Sequence, residues 1–174
     1  SRFAAKVFAQ GIRGLHVAAA PLLALYHTGF DTGLLVDVGH SAGYIHAVFA
    51  GHAVFEAAST FPLADDGTAK DVNADGSADD RTADDRTADD RTADDVDRTS
   101  AAIVRTLALV DAVTRVALVG NIVLVGGRTM APSFRERLEA KLCSRAEWKP
   151  RVKARSDRRL ASWLGAAIFS TLPS

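Results

Sequence analysis

Residues 33–42 read GLLVDVGHSA. An apolar run of strand length carries one carboxylate near its end, Asp37, and is closed by a glycine, Gly39, with His40 behind it. Bounded by turn residues on both sides, such a run reads as a buried strand. A carboxylate at a strand tip suits a hydrated cation, and a glycine turn lets backbone amides approach phosphate oxygens. Taken alone, an aspartate before a glycine is ordinary turn chemistry, so its neighbours have to decide.

Downstream, residues 44–49 and 53–57 have strand composition and follow short turn signals at 39–43 and 50–51. Three strands with hairpin-length connections predict an antiparallel meander. Upstream, residues 3–10 read as a short helix or strand end and HVAAA (16–20) as a strand. PLLALYHTG (21–29) reads as a helix, with Pro21 in its first turn and Gly29 as its cap.

Residues 65–99 change character. ADDRT recurs with period five at 78–82, 83–87 and 88–92, with a decayed copy from Ala93. Five is neither a helical nor a strand period, and the segment offers few apolar side chains, so a disordered acidic linker is expected. DVNADGSADDRT (71–82) matches a calcium loop at Asp71, Asn73, Asp75, Gly76 and Asp79. Thr82 stands where a bidentate glutamate is needed, so the match is read as ordinary acidic sequence.

Order resumes at Ser100. Ile103, Leu107, Val110 and Val113 recur at helical spacing, and Gly120 ends the pattern. NIVLVGG (121–127) is a buried strand that delivers Gly126 and Gly127 into a turn where a flat ring can approach the backbone. Residues 131–142 form an amphipathic helix pattern opened by Pro132, with Phe134, Leu138 and Leu142 on one face. SWLGAAIFSTL (162–172) reads as an apolar terminal helix.

The chain has 174 residues, 48% of them hydrophobic, with a formal net charge of zero. That length supports one domain with a substantial core. Zero net charge argues against a general nucleic-acid or membrane binder, and the basic tract 149–159 lacks interleaved aromatic residues and reads as a solvated face. Charge is nonetheless divided. Residues 65–99 hold 13 Asp against 4 Arg and 1 Lys, a balance of −8, while residues 128–159 balance at +7. Opposed halves of this kind attract each other or serve different partners. The longest apolar run, 14–26, is far short of a membrane span and holds His16 and Pro21. Arg2, Lys6 and Arg13 mimic a targeting peptide only weakly. The single cysteine, Cys143, points to a reducing, cytoplasmic setting. His16, His27, His46 and His52 show no ligand spacing and read as structural.

Together, in this order, the segments resemble one family. LALYHTGFDTGLLVDVG is similar to the second phosphate-binding segment of actins and actin-related proteins. NIVLVGGRTMAPSFRERL resembles their adenosine segment, and SWLGAAIFSTL their terminal Trp-x-Gly-Gly helix. The resemblance covers residues 3–60 and 100–172. It implies the actin/hsp70/sugar-kinase superfamily, an α/β class with an RNase H-like mixed sheet flanked by helices, here incomplete. Residues 1–64 would form one part of the lobe, 65–99 the linker, and 100–174 the remainder. The first phosphate loop is expected before residue 1, and the acidic repeat stands where the family inserts a smaller subdomain.

By this resemblance Asp37, Gly39, His40, Gly126, Gly127, Met130 and Arg159 are the cofactor-binding candidates, for ATP or ADP with Mg2+, and Asp37 is the metal candidate. The departures point away from hydrolysis. The family's water-positioning glutamine is expected at Ala4 or Ala5, neither of which orients water. Its second aspartate is His40, a poor magnesium ligand. The expectation is a non-hydrolysing structural subunit whose partners are other actin-like or complex subunits. The terminal helix and the Asp-Val-Gly-His strand most resemble the pointed-end actin-related protein of dynactin, in the cytoskeleton. The Phe-Arg-Glu-Arg helix is shared with nuclear actin-related proteins of chromatin-remodelling complexes, the alternative, and a slow ATPase completed by a further lobe is the enzyme alternative.

Overall fold

In the computed structural model, which describes residues 2–12, 14–15, 17–63, 87–145 and 148–171, the expected meander is present. It consists of β1 (Gly33–Val38), β2 (Ala42–Phe49) and β3 (His52–Pro62), paired antiparallel. Two further strands, β4 (Ile122–Val125) and β5 (Val152–Lys153), add in parallel, giving one five-stranded mixed sheet in the order β3-β2-β1-β4-β5. β1 is central because it is apolar on both faces: Leu34, Leu35, Val36 and Val38 are all buried.

The helices are α1 (Arg2–Phe8), α2 (Ala20–Thr28), α3 (Ala88–Ala108), α4 (Ala112–Val119), α5 (Phe134–Arg145) and α6 (Ala161–Ser170). The strand pleat divides the core in two. Leu34, Val36 and Val38 of β1 face a large core with Ile45, Ile103, Leu107, Leu118, Phe134 and Leu138, beneath α3, α4 and α5. On the other face Leu35 joins Val48, Val123, Val125, Ala24, Leu25 and Ala161, beneath α2 and α6. Those two helices approach so closely that a Cβ on Gly165 would fall on the Leu23 carbonyl. Tyr26 and Phe169 stack across the same contact, with ring centroids 6.2 Å apart. Among the described residues no helix is long and apolar enough to cross a membrane.

The structure corrects the expected linker. Its last part is not disordered: α3 begins at Ala88, inside the 65–99 stretch, and takes in the third ADDRT copy and the decayed fourth. The decayed copy explains this. Val96 and Asp97 are inserted before its Arg-Thr, so Asp95, Val96, Thr99 and Ser100 lead at helical spacing into Ala102, Ile103, Thr106 and Leu107, all buried. The start is fixed by a capping box, in which the Asp90 amide donates to Thr87 Oγ1 (3.1 Å) and the Thr87 amide donates to Asp90 Oδ2 (3.2 Å). Asp89 and Asp90 also complement the positive end of the helix dipole.

Charge then docks the helix. Arg137 meets Asp89 at 2.7 Å, Lys141 meets Asp97 at 2.8 Å, and Arg128 meets Asp95 at 2.9 Å. At these positions the acidic and basic halves of the sequence attract each other. The calcium-like loop 71–82 and the first two ADDRT copies lie outside the described residues, except Thr87. So does His16 of the expected 16–20 strand, whose residues 17–19 are not strand. The single helix expected over 100–119 is two, because Asp111 caps a new start, accepting from the amides of Val113 (2.9 Å) and Thr114 (3.0 Å).

Candidate functional site

Strand register places Asp37. It stands opposite Tyr44 of β2 and Val125 of β4, while Leu35 stands opposite His46. Opposed residues share a face, so Asp37, Tyr44 and His46 point to the α2/α6 side of the sheet. There Asp37, Tyr44, His46 and Leu35 line a cavity of about 190 Å³, closed by Ala20 and Pro21 at the start of α2 and by Ser162 of α6. Burial pushes the Asp37 carboxyl above its ordinary range, and the attraction of His46 opposes that only in part. Burial likewise pushes the His46 imidazole down, partly offset by Asp37. Both groups thus favour their neutral forms.

The Gly-Gly turn closes the far side of Asp37. Gly126 adopts φ +96°, and a Cβ there would overlap the Val38 carbonyl and the Asp37 carboxylate. Only glycine fits. The chain then enters a short 3-10 turn, Arg128–Met130, in which Thr129 donates back to the Gly126 carbonyl at 2.7 Å. Arg158 clamps the same loop: its Nε donates to Thr129 Oγ1 (3.0 Å) and its Nη2 to the Thr129 carbonyl (2.8 Å). On the α3 side, Gly127, Arg128 and Ala131 line a cleft of about 290 Å³ with His40, Arg91, Thr92 and Asp95. That volume is at the small end of the ~300–1,000 Å³ usual for ligand pockets.

The candidates named from sequence therefore divide. Asp37 packs against Gly126, His40 and Gly127 share a cleft, and Gly39 makes the turn between them, its amide donating to the Ala42 carbonyl at 3.2 Å. Met130 and Arg159 are exposed and line neither cavity. Arg158, one residue earlier, holds the loop. The expectation for Ala4 or Ala5 is corrected. Both lie on α1, which buries none of its residues, whereas the helix facing Asp37 is α2, through Ala20 and Pro21. Both helices precede β1 and both are apolar, so composition does not tell them apart.

His46, read as structural from the sequence, lines the Asp37 cavity, and Tyr44, Asp95 and Arg128 carry no signal that singles them out in the sequence. Counting register through the 39–43 turn would have brought Tyr44 and His46 to Asp37. Asp95 and Arg128 carry no local signal, since their meeting depends on how α3 docks.

The family implied by the resemblance uses a divalent cation, so the donor set matters. Magnesium takes six oxygens in near-octahedral geometry and sheds water reluctantly. Beside Asp37 the cavity offers an imidazole and two hydroxyl-bearing side chains, with no second carboxylate, and burial favours the protonated form of the one acid present. Among the described residues no group of three or more His, Cys, Asp or Glu side chains converges as a metal site. These residues do not fit a tightly held magnesium ion.

Comparison with known proteins agrees with the fold. The family model for actin matches residues 76–174. Actin-related protein 4 of Mycosarcoma maydis is 36% identical over 75 residues, which is 40% of this chain and 14% of that protein. The chain thus spans about a seventh of the length of the curated relative it matches.

Proposed function

The chain belongs to the actin family, and from that premise we propose that it is a non-hydrolysing, structural actin-related subunit of a multi-subunit assembly. Members of the family bind a nucleotide with a divalent cation; in this chain that binding is weak or lost. The observation that carries the reading is the wall of the Asp37 cavity. The helix facing the carboxyl contributes Ala20 and Pro21, and neither side chain can hold an attacking water in line. His40 supplies no oxygen donor, and burial disfavours the charged Asp37 carboxylate that a magnesium–phosphate group needs.

Two assemblies fit a structural actin-related subunit. Similarity to an actin-related protein 4, together with the Phe-Arg-Glu-Arg start of α5, supports a nuclear, chromatin-remodelling setting over the dynactin one. Affinity purification of the full-length protein tests this: remodeller subunits are expected, and dynein-adaptor components in their place would reverse the assignment.

A slow ATPase is the second reading, and one observation favours it. A neutral imidazole beside Asp37 is a proton acceptor. Phosphate release from the full-length protein separates the readings. Background release with or without bound ATP is expected; turnover abolished by both Asp37→Ala and His46→Ala would establish the enzyme.

A further inference from the structure

A third, smaller cavity lies behind the Gly-Gly turn, between the end of α2, β4 and the segment that leads into α6. It encloses about 110 Å³. Its floor is apolar, made by Val123, Leu124, Val125 and Ala161, and its walls carry Lys153, Arg155 and Arg158. The cations differ in how they are answered. Arg155 is held by Asp157 through two hydrogen bonds of 3.0 and 3.1 Å. Arg158 is committed to Thr129. Lys153 has no carboxylate within ion-pair distance among the described residues. Its Nζ rests 3.5 Å from the centroid of the Phe30 ring, and burial and Arg151 both disfavour its charge. The ring face attracts the ammonium but accepts none of its N–H bonds as a carboxylate would.

We infer that this cavity is a binding site for a short-chain carboxylate, its acid group paired with Lys153 and its apolar stem on the β4 floor. Three features set the class. The wall cations outnumber Asp157, so a cation is disfavoured. The floor is apolar, so a bare inorganic ion leaves surface unfilled. The volume is near the ~150 Å³ of a cavity that admits benzene, so a nucleotide is excluded. Two of the lining side chains already meet a carboxylate beside the cavity: Asp157 accepts from Arg155, and its Oδ2 lies 3.0 Å from His27 Nε2. The same group is presented by a free short acid and by the glutamate side chain of a partner protein. Arg158 joins the cavity wall to the Thr129 loop.

Titration of the full chain with sodium butyrate and with N-acetyl-glutamate amide, followed by two-dimensional NMR, tests the site. Saturable shifts centred on Phe30, Val123, Val125 and Lys153 are expected with at least one acid. Response to butyrate alone identifies a free acid, and response to the capped glutamate a partner side chain. Lys153→Met is expected to weaken binding at least tenfold, and Lys153→Arg to retain it. If Lys153→Met fails to fold, the comparison of butyrate with n-butanol on the unaltered chain decides. Equal response to n-butanol, undiminished binding by Lys153→Met, or no saturable shift with either acid overturns the assignment.

Discussion

The two faces of the sheet are built from the same strands and differ in depth. On one face α3, α4 and α5 cover β1 and β4 with long aliphatic and aromatic side chains. On the other, α2 and α6 contribute a thin layer of mostly small residues, and a cavity remains around Asp37 and His46. Packing density on the first face fixes the fold, while incomplete packing on the second leaves titratable groups partly desolvated without being filled over. A site needs this asymmetry: a rigid strand to aim a side chain and a gap for something to meet it.

The deepest test of the contrast is Phe134→Ala. Phe134 is buried where α5 meets the thick core, and the substitution is expected to cost about 3–5 kcal/mol in chemical denaturation. A loss near zero would mean that α5 is not docked as described. Asp95→Ala comes next, because it removes the Asp95 carboxylate that meets the partly buried Arg128 at 2.9 Å. Removing one partner of a buried pair costs about 3–5 kcal/mol, and Asp95→Leu combined with Arg128→Met is expected to recover much of that. Failure of the double variant to recover would show that Asp95 acts through another neighbour.

On the thin face, Gly165→Ala pushes α6 away from the Leu23 carbonyl. Overpacking of this kind costs about 1–3 kcal/mol, and hydrogen exchange in α2 and α6 is expected to rise while α3 stays protected. Uniform loss of protection would erase the distinction between the faces. Thr87→Ala removes the capping box that starts α3, for about 1 kcal/mol, read as fraying of the acidic turns by helix-selective NMR shifts.

The smallest effect concerns protons, and the two groups act in opposite senses. Burial raises the Asp37 carboxyl, so the folded chain retains a proton the unfolded chain has released above pH 3.8. That contribution is present at low pH and is lost as pH rises through the folded value. His46 is lowered, so its contribution is present above pH 6.5 and is lost as pH falls through its folded value. Asp37→Asn is therefore expected to stabilise the chain at neutral pH and to move the His46 NMR titration lower still. An unmoved His46 titration would show that the pair is not coupled.

Much of this was legible along the chain. Alternating and continuous apolar runs with glycine turns specify the meander, β4 and its Gly-Gly exit, because strand period and turn chemistry are local properties. The actin resemblance follows from those segments in order. Two helices were less legible. ADDRT repeats lack an apolar face, so nothing local announces that the third and fourth copies join α3; the basic residues that receive them lie on α5 and at Arg128. Likewise α1 and α2 are both apolar, and only packing tells which one faces Asp37.

By itself, then, the sequence determined the strands, the turns and the single carboxylate GLLVDVGHSA places at a strand tip. The tertiary structure decided what that carboxylate meets. Cross-strand register brought His46 beside it, the approach of Gly126 closed one side, and the start of α2 set Ala20 and Pro21 on the other. Each of these depends on distances between segments far apart in the chain, which no local pattern encodes.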